Sequence, residues 1–136
     1  MRALSMKVMV VFLLFVFSAT ISAQSAKTKQ LIEKAKINFL SSLHSDVYGV
    51  VESSIFITME MKERFPEFDY SNLVDKLNDL AIEGKTPTIR YKAQLASLYF
   101  DFPSMFTDVN FLDKENPDKY FKQISDRLEQ QPVASN

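Results

Sequence analysis

The chain has 136 residues, the size of a single domain, and it has no cysteine, so no disulfide supports its core. Its 16 basic and 17 acidic residues leave a net charge of −1, which argues against nucleic acid as a ligand because that binding needs clustered cations. Two glycines are too few for the tight turns of an all-β fold or for a phosphate-binding loop. Composition therefore favours a helical protein stabilised by apolar packing.

The start of the chain has the layout of a secretory signal peptide. Two basic residues, Arg2 and Lys7, precede an unbroken apolar run of ten residues, and small residues follow up to Ala23. A helix that spans a bilayer needs about 20 apolar residues, and this run is shorter. We therefore predict a signal peptide over 1–23 and an exported protein, periplasmic or extracellular, that meets a membrane only during export. A retained N-terminal anchor is the alternative.

Apolar residues recur at steps of three and four along the rest of the chain, which is the period of amphipathic helices. The pattern predicts five helices in a domain over 24–130, followed by a flexible tail over 131–136; their approximate ranges are 26–43, 47–64, 71–83, 87–100 and 116–130. The second of them is apolar round most of its circumference, as in a helix buried between neighbours, although its Val, Ile and Thr content leaves a strand as the alternative. Residues 104–115 show no period and are predicted to form a loop.

Turn residues mark the ends of these predicted helices. Ser45 and Asp46 are candidate N-caps of the second helix, and Asn116–Pro117 is the corresponding signal for the fifth. Thr86–Pro87 predicts an N-cap followed by a first helical residue, because proline is preorganised for that position. Gly84 stands where a left-handed residue would end the third helix.

Two stretches of the chain are alike at a spacing of about 37 residues. Leu40-x-x-Leu43 recurs as Leu77-x-x-Leu80, and Phe65–Pro66 recurs as Phe102–Pro103. A period near 40 residues made of two helices is typical of an α-solenoid, in which each hairpin buries its apolar face against the next. We therefore predict an all-α fold, a short right-handed α-solenoid of two helical hairpins plus a C-terminal capping helix. A five-helix bundle is the alternative.

The start of the predicted fourth helix, Ile89-Arg90-x-x-Ala93, has an aliphatic residue, an arginine and then a small residue. In this motif, over about residues 31–103, the chain resembles HEAT repeats. The first unit, Val51-Glu52-x-x-Ile55, keeps only the aliphatic position. The family's turn aspartate, six residues before the arginine, is matched by Asp46 in the first unit, whereas the second unit has Gly84 there. The resemblance implies a scaffold for protein–protein contact that carries no chemistry.

No spacing in the chain is typical of a catalytic or metal site. His44 is the only histidine, and a zinc site needs three or four His, Cys or carboxylate ligands. Nucleophilic catalysis needs a base beside a serine, threonine or cysteine, and a single histidine offers little choice. We therefore predict a non-enzymatic protein with no catalytic residue, no metal and no cofactor.

Aromatic residues are dense after residue 90, and most of them should form the core of a domain that has no disulfide. The aromatic residues that are not in the core are predicted to form an exposed patch that binds a partner. The candidate interaction surface consists of Glu52, Arg90, Tyr91, Phe106 and Phe111. The predicted function is that of an exported helical module that mediates protein–protein interaction with an unidentified protein. The alternative is a small carrier or sensor of an apolar ligand with a phenylalanine-lined cavity.

Overall fold

A computed structural model describes residues 2–109 and 115–131, with side chains from residue 23 onward. Every regular element in these residues is helical, which confirms the predicted all-α class. The elements are α1 (Arg2–Leu43), α2 (Tyr48–Arg64), α3 (Ser71–Glu83), α4 (Pro87–Asp101), a 3₁₀ helix (Pro103–Phe106) and α5 (Asp118–Glu129). The chain divides into two compact units, Met1–Ala35 and Lys36–Asn136, and α1 runs through the boundary between them.

Two predicted segments lie at the ends of the chain. The signal peptide predicted over 1–23 lies where side chains are not described up to residue 22. The predicted tail over 131–136 lies outside the described residues beyond Gln131, which is exposed. Within the part of the chain whose side chains are described, no helix is long and apolar enough to cross a membrane.

The three middle helices begin and end within one residue of the predicted positions. The first helix differs, because it begins at Arg2 and not near residue 26. The predicted loop over 104–115 begins within a 3₁₀ helix, Pro103–Phe106, and residues 110–114 lie outside the described part of the chain.

The strand alternative for the second helix is wrong, since α2 is helical throughout. It buries residues on several sides, as a helix between neighbours does, and two of them are hydroxyl side chains. Ser54 Oγ donates to Val50 O, and Thr58 Oγ1 donates to Ser54 O, each at 2.7 Å. Because both hydroxyls bond to the preceding turn, they lie in the interior without an unpaired donor.

The predicted N-cap is confirmed in one helix and wrong in two. Thr86 Oγ1 accepts a hydrogen bond from Ile89 N at 3.1 Å, with Pro87 at the first helical position. The N-cap of α2 is Val47, not Ser45 or Asp46, and that of α5 is Pro117; neither makes a side-chain capping bond. Ser45 Oγ instead accepts from Val47 N within the turn.

Gly84 does not have the predicted left-handed conformation, because its φ is −55° and its ψ is 137°. The constraint on this residue is steric. A Cβ atom at Gly84 would lie 2.4 Å from Leu80 O and 2.9 Å from Ile89 Cγ2. Glycine therefore allows the end of α3 and the start of α4 to approach closely.

The repeated Phe-Pro pair ends α2 and α4 in the same way. Phe65 has φ −135° and ψ 63°, and Phe102 has φ −128° and ψ 57°. Their N–H groups donate to Met61 O and Leu98 O, both at 2.9 Å. The local structure of the two helix ends thus repeats with the sequence.

The core of Lys36–Asn136 is centred on α4, which packs against α2, α3, α5 and the 3₁₀ helix. Small residues on α4, Ala93 and Ala96, are fully buried and let neighbouring helices approach. Aromatic rings pack against one another where α2 and α4 meet α5 and the 3₁₀ helix. Phe56 contacts Tyr120 and Tyr99 contacts Phe106, with ring centroids 5.2 Å and 6.0 Å apart.

Candidate interaction surface

Side-chain hydrogen bonds connect α2 and the turn before it to residues 36 to 40 positions later. These bonds pair Lys85 with Asp46 (2.5 Å), Lys92 with Glu52 (2.8 Å) and Tyr99 with Glu63 (2.8 Å). The spacings are close to the repeat length of the sequence. The bonds therefore link corresponding regions of the two repeated stretches.

Lys92 is the most connected of these residues. Its Nζ lies 2.8 Å from Glu52 Oε2 and 2.8 Å from Asp118 Oδ1, so the ammonium group joins α2, α4 and α5. The same Nζ lies 5.4 Å from the centroid of the Phe121 ring, within cation–π range. The side chain is only 14% exposed. Burial lowers the pKa of Lys92, but the hydrogen bonds to Asp118 and Glu52 outweigh it and hold the pKa above its ordinary value.

An open groove lies beside Lys92, between α4 and α5. We call it the α4–α5 groove; its volume is about 710 Å³, and its walls include Glu52, Tyr91, Lys92, Phe121, Lys122 and Asp126. Tyr91 is the exposed aromatic residue of this wall, with 52% of its surface accessible. On the rim, Lys122 Nζ lies 2.8 Å from Asp126 Oδ2. The groove thus combines an accessible aromatic ring with charges of both signs.

The structure brings only part of the predicted interaction surface together. Glu52 and Tyr91 both line the α4–α5 groove. Arg90 is held locally, because its Nη1 donates to Gly84 O at 2.6 Å. Phe106 is 2% exposed and packs in the core, so it contributes nothing to a surface. Phe111 lies outside the described residues.

Lys92 and the α5 residues of the groove were not among the predicted surface residues. One available signal was the opposite charge of Glu52 and Lys92 at nearly the repeat spacing. The α5 residues carried no such signal. Phe121 fits the apolar period of the fifth helix, but that period does not show that α4 lies beside it.

The only histidine is not part of the groove. His44 is exposed, and its Nδ1 donates to Leu40 O at 2.8 Å, since a carbonyl oxygen can only accept. Among the residues described, no three His, Asp or Glu side chains come together in a way that could hold a metal ion.

Comparison of the chain with protein-family models, with curated proteins and with solved structures found no match.

Proposed function

We propose that this protein is an exported, non-enzymatic helical module that binds a protein partner through the α4–α5 groove. The observation that carries the proposal is the half-exposed ring of Tyr91 in a groove with charged walls. Tyrosine is enriched among the residues that dominate binding energy, because its large rigid ring buries much area at little entropic cost. A charged rim with both signs suits a polar partner surface.

We extend the proposal to the architecture, a HEAT-like right-handed solenoid of two hairpins closed by α5. Two observations support it. Phe65 and Phe102 end their helices with nearly the same backbone conformation, and three side-chain bonds join residues 36 to 40 positions apart, close to the repeat length. The buried residues of α5, Tyr120, Phe121 and Ile124, fit a helix with an apolar side turned to the stack.

Export belongs to the same proposal and rests on the sequence of residues 1–23. If the signal peptide is removed after Ala23, N-terminal sequencing of the protein from its native cells should begin at Gln24. A protein that still begins at Met1 would contradict the localisation.

The alternative, a carrier of an apolar ligand, has no specific observation in its favour. Several of the described phenylalanine and tyrosine rings pack on one another, as Tyr70 does on Phe100 and Tyr99 on Phe106. The groove contains a single phenylalanine, Phe121, which is itself buried. We therefore keep protein binding as the proposed function.

Site-specific photo-crosslinking tests the groove directly. A benzophenone amino acid placed at Tyr91 should form a covalent adduct with a protein in cells that naturally express the chain. Phe102 is the matched control, because it is an aromatic residue at the other end of α4 with a similar exposure of 50%. An adduct at Phe102 but none at Tyr91 would contradict the groove as the binding surface.

The partner captured in this way then allows a quantitative test. Tyr91→Ala should weaken its binding by about tenfold or more, the effect of losing a central aromatic contact. Phe102→Ala should leave the affinity within about twofold. Equal losses in the two variants would show that the effect comes from the stability of α4 and not from the groove.

A further inference from the structure

One side of α1 carries two exposed lysines with an apolar residue between them. Lys27, Leu31 and Lys34 follow one another at steps of four and three residues, so they share one face of the helix. All three are exposed, and 59% of the surface of Leu31 is accessible. Neither lysine forms an ion pair with another described residue. We call these three residues the basic face of α1.

α3 has an exposed face of the opposite charge. Asp75, Asp79 and Glu83 recur every four residues, and Ile82 lies on the same side of the helix. All four are exposed, and 78% of the surface of Ile82 is accessible. We call these four residues the acidic face of α3. Like the basic face of α1, it combines charges of one sign with an exposed aliphatic side chain.

The charges of the acidic face are not compensated. None of its three carboxylates forms a hydrogen bond or ion pair with another described residue. Lys76, the one lysine of α3, is half-buried and pairs with none of them, and Lys85 is bound to Asp46. Like charges four residues apart on a helix repel each other, and carboxylates near its C-terminus oppose its dipole. Cations from outside the chain would therefore stabilise this face.

The two faces match in length as well as in charge. Lys27 and Lys34 are seven residues apart, which is about 10 Å along a helix axis. Asp75 and Glu83 are eight residues apart, which is about 12 Å. When two such helices lie antiparallel, one lysine can meet each end of the acidic row, and the aliphatic side chains lie between the ends. Each face thus has the chemistry that the other lacks.

We propose that the protein self-associates, with the basic face of α1 in one copy against the acidic face of α3 in a second copy. In a two-fold dimer each copy supplies both faces, so the contact is made twice. Exposed ion pairs contribute little each and small interfaces are weak, so the dimer forms in the submillimolar range. None of these residues lines the α4–α5 groove, so the groove stays available for its partner.

Sedimentation equilibrium of the full chain tests the association. The average mass should rise towards that of a dimer with increasing concentration at low salt. The dissociation constant should rise at least tenfold from about 0.01 M to about 1 M salt, because the screening length falls from about 30 Å to about 3 Å. A chain that stays monomeric at low salt would overturn the proposal, as would an association that salt does not weaken.

Charge reversal assigns the association to the two faces. The double variants Lys27→Glu, Lys34→Glu and Asp75→Lys, Asp79→Lys should each associate at least tenfold more weakly than the unmodified chain. An equimolar mixture of the two should regain the affinity, because each face then meets the opposite charge in the other variant. Lys29→Glu is the matched control, since Lys29 is an exposed lysine on the other side of α1.

The mixture also separates a loss of contact from a loss of folding, because a misfolded variant would not recover on mixing. Residues 1–23 are the same in every variant, so any association through them does not respond to these charges. A mixture that stays as weak as the separate variants would overturn the proposal. An equal loss in Lys29→Glu would do the same.

Thiol crosslinking maps the contact, because the chain has no cysteine of its own. Leu31→Cys and Ile82→Cys, mixed as single variants and treated with a short bis-maleimide, should give a crosslinked pair of the two different chains. Phe102→Cys replaces Ile82→Cys in the control, since Phe102 is exposed but belongs to neither face. Equal crosslinking with Phe102→Cys, or stronger crosslinking of Leu31→Cys to itself, would overturn the proposal.

Discussion

Glu52 on α2 and Lys92 on α4 are 40 positions apart in the chain, and 2.8 Å separates Oε2 of the first from Nζ of the second. Asp118 at the start of α5 completes this contact from a third helix. One ammonium group thus holds together three helices that are distant in sequence. Its replacement should therefore affect the stability of the whole helical unit.

Lys92→Met should lower the free energy of unfolding by about 1–2 kcal/mol, because it removes two charge-assisted hydrogen bonds while keeping the length of the aliphatic stem. Urea denaturation measures the change. Lys122→Met is the matched control, since Lys122 pairs with Asp126 one turn away and is largely exposed. Its replacement should leave the free energy of unfolding almost unchanged, because an exposed ion pair contributes little to stability. Equal costs would show that the contact of Lys92 is no stronger than a surface pair.

Gly84→Ala should destabilise the protein by about 1–3 kcal/mol, because the new methyl group would collide with the backbone oxygen of Leu80 and the side chain of Ile89. Gly49→Ala is the internal control: a Cβ at Gly49, which lies in α2, would meet no atom within 4 Å. That change should be neutral or stabilise the helix by up to about 1 kcal/mol. Only the urea midpoint of Gly84→Ala should fall, and a Gly84→Ala variant as stable as the unmodified protein would contradict the close packing of α3 and α4.

Removal of α5 should abolish most of the stability. Truncation after Asn116 deletes Tyr120, Phe121 and Ile124, which are buried. Burial of each is worth about 1.5–3 kcal/mol, so the sum reaches about 5–9 kcal/mol as an upper value. The total stability of a domain is only about 5–15 kcal/mol.

The control for this truncation is a chain that ends after Gln131 and keeps all of α5. We expect the control to unfold like the full chain in thermal denaturation, and the shorter chain to aggregate or to lose its cooperative transition. A shorter chain that stays monomeric with the same midpoint would contradict the role of α5 as a cap. Its apolar side would then be a candidate docking surface.

The pair of Asp46 and Lys85 predicts a pH effect at the exposed turns. A hydrogen bond from Lys85 and the positive charge of that residue lower the pKa of Asp46 below its ordinary value of 3.8. Because the folded-state pKa is the lower one, the contribution of Asp46 to stability is present above pH 3.8 and is lost as the pH falls through the folded-state value. NMR titration of the carboxyl carbon measures this pKa.

Lys85→Met should return the pKa of Asp46 towards its ordinary value. Asp69 is the internal control, because hydrogen bonds from the backbone N–H and hydroxyl of Ser71 lower the pKa of that carboxyl and do not involve Lys85. An Asp46 pKa that stays low in Lys85→Met would show that another group is its partner.

The helices could be predicted from the sequence, because helix formation and capping depend on residues only a few positions apart. The three- and four-residue period predicted α2, α3 and α4 almost to the residue, and Thr86–Pro87 marked the start of α4 because the capping bond spans only three positions. The same kind of signal failed at Ser45, Asp46 and Asn116. There, the side chains of the first two bond to Val47 and Lys85 in place of capping α2.

The candidate surface was predicted only in part, because contacts between helices depend on residues that are distant in the sequence. Glu52 and Tyr91, both predicted members of the surface, stand on neighbouring helices and line one groove. The burial of Phe106 depends on its contact with Tyr99, and aromatic composition alone does not distinguish a core ring from an exposed one. A ring is buried or exposed according to which helix lies beside it.

The sequence by itself determined the all-α class, the positions of the middle helices and the repeated Phe-Pro ends, because helix formation follows periodicity and local backbone sterics. Only the tertiary structure decided how those helices share residues. It placed Lys92 between Glu52 and Asp118, and it made Gly84 a point of close packing in place of a left-handed turn. Both roles depend on atoms that belong to different helices. The energy of such a contact depends on interatomic distances and burial, and the sequence pattern of a single helix gives neither.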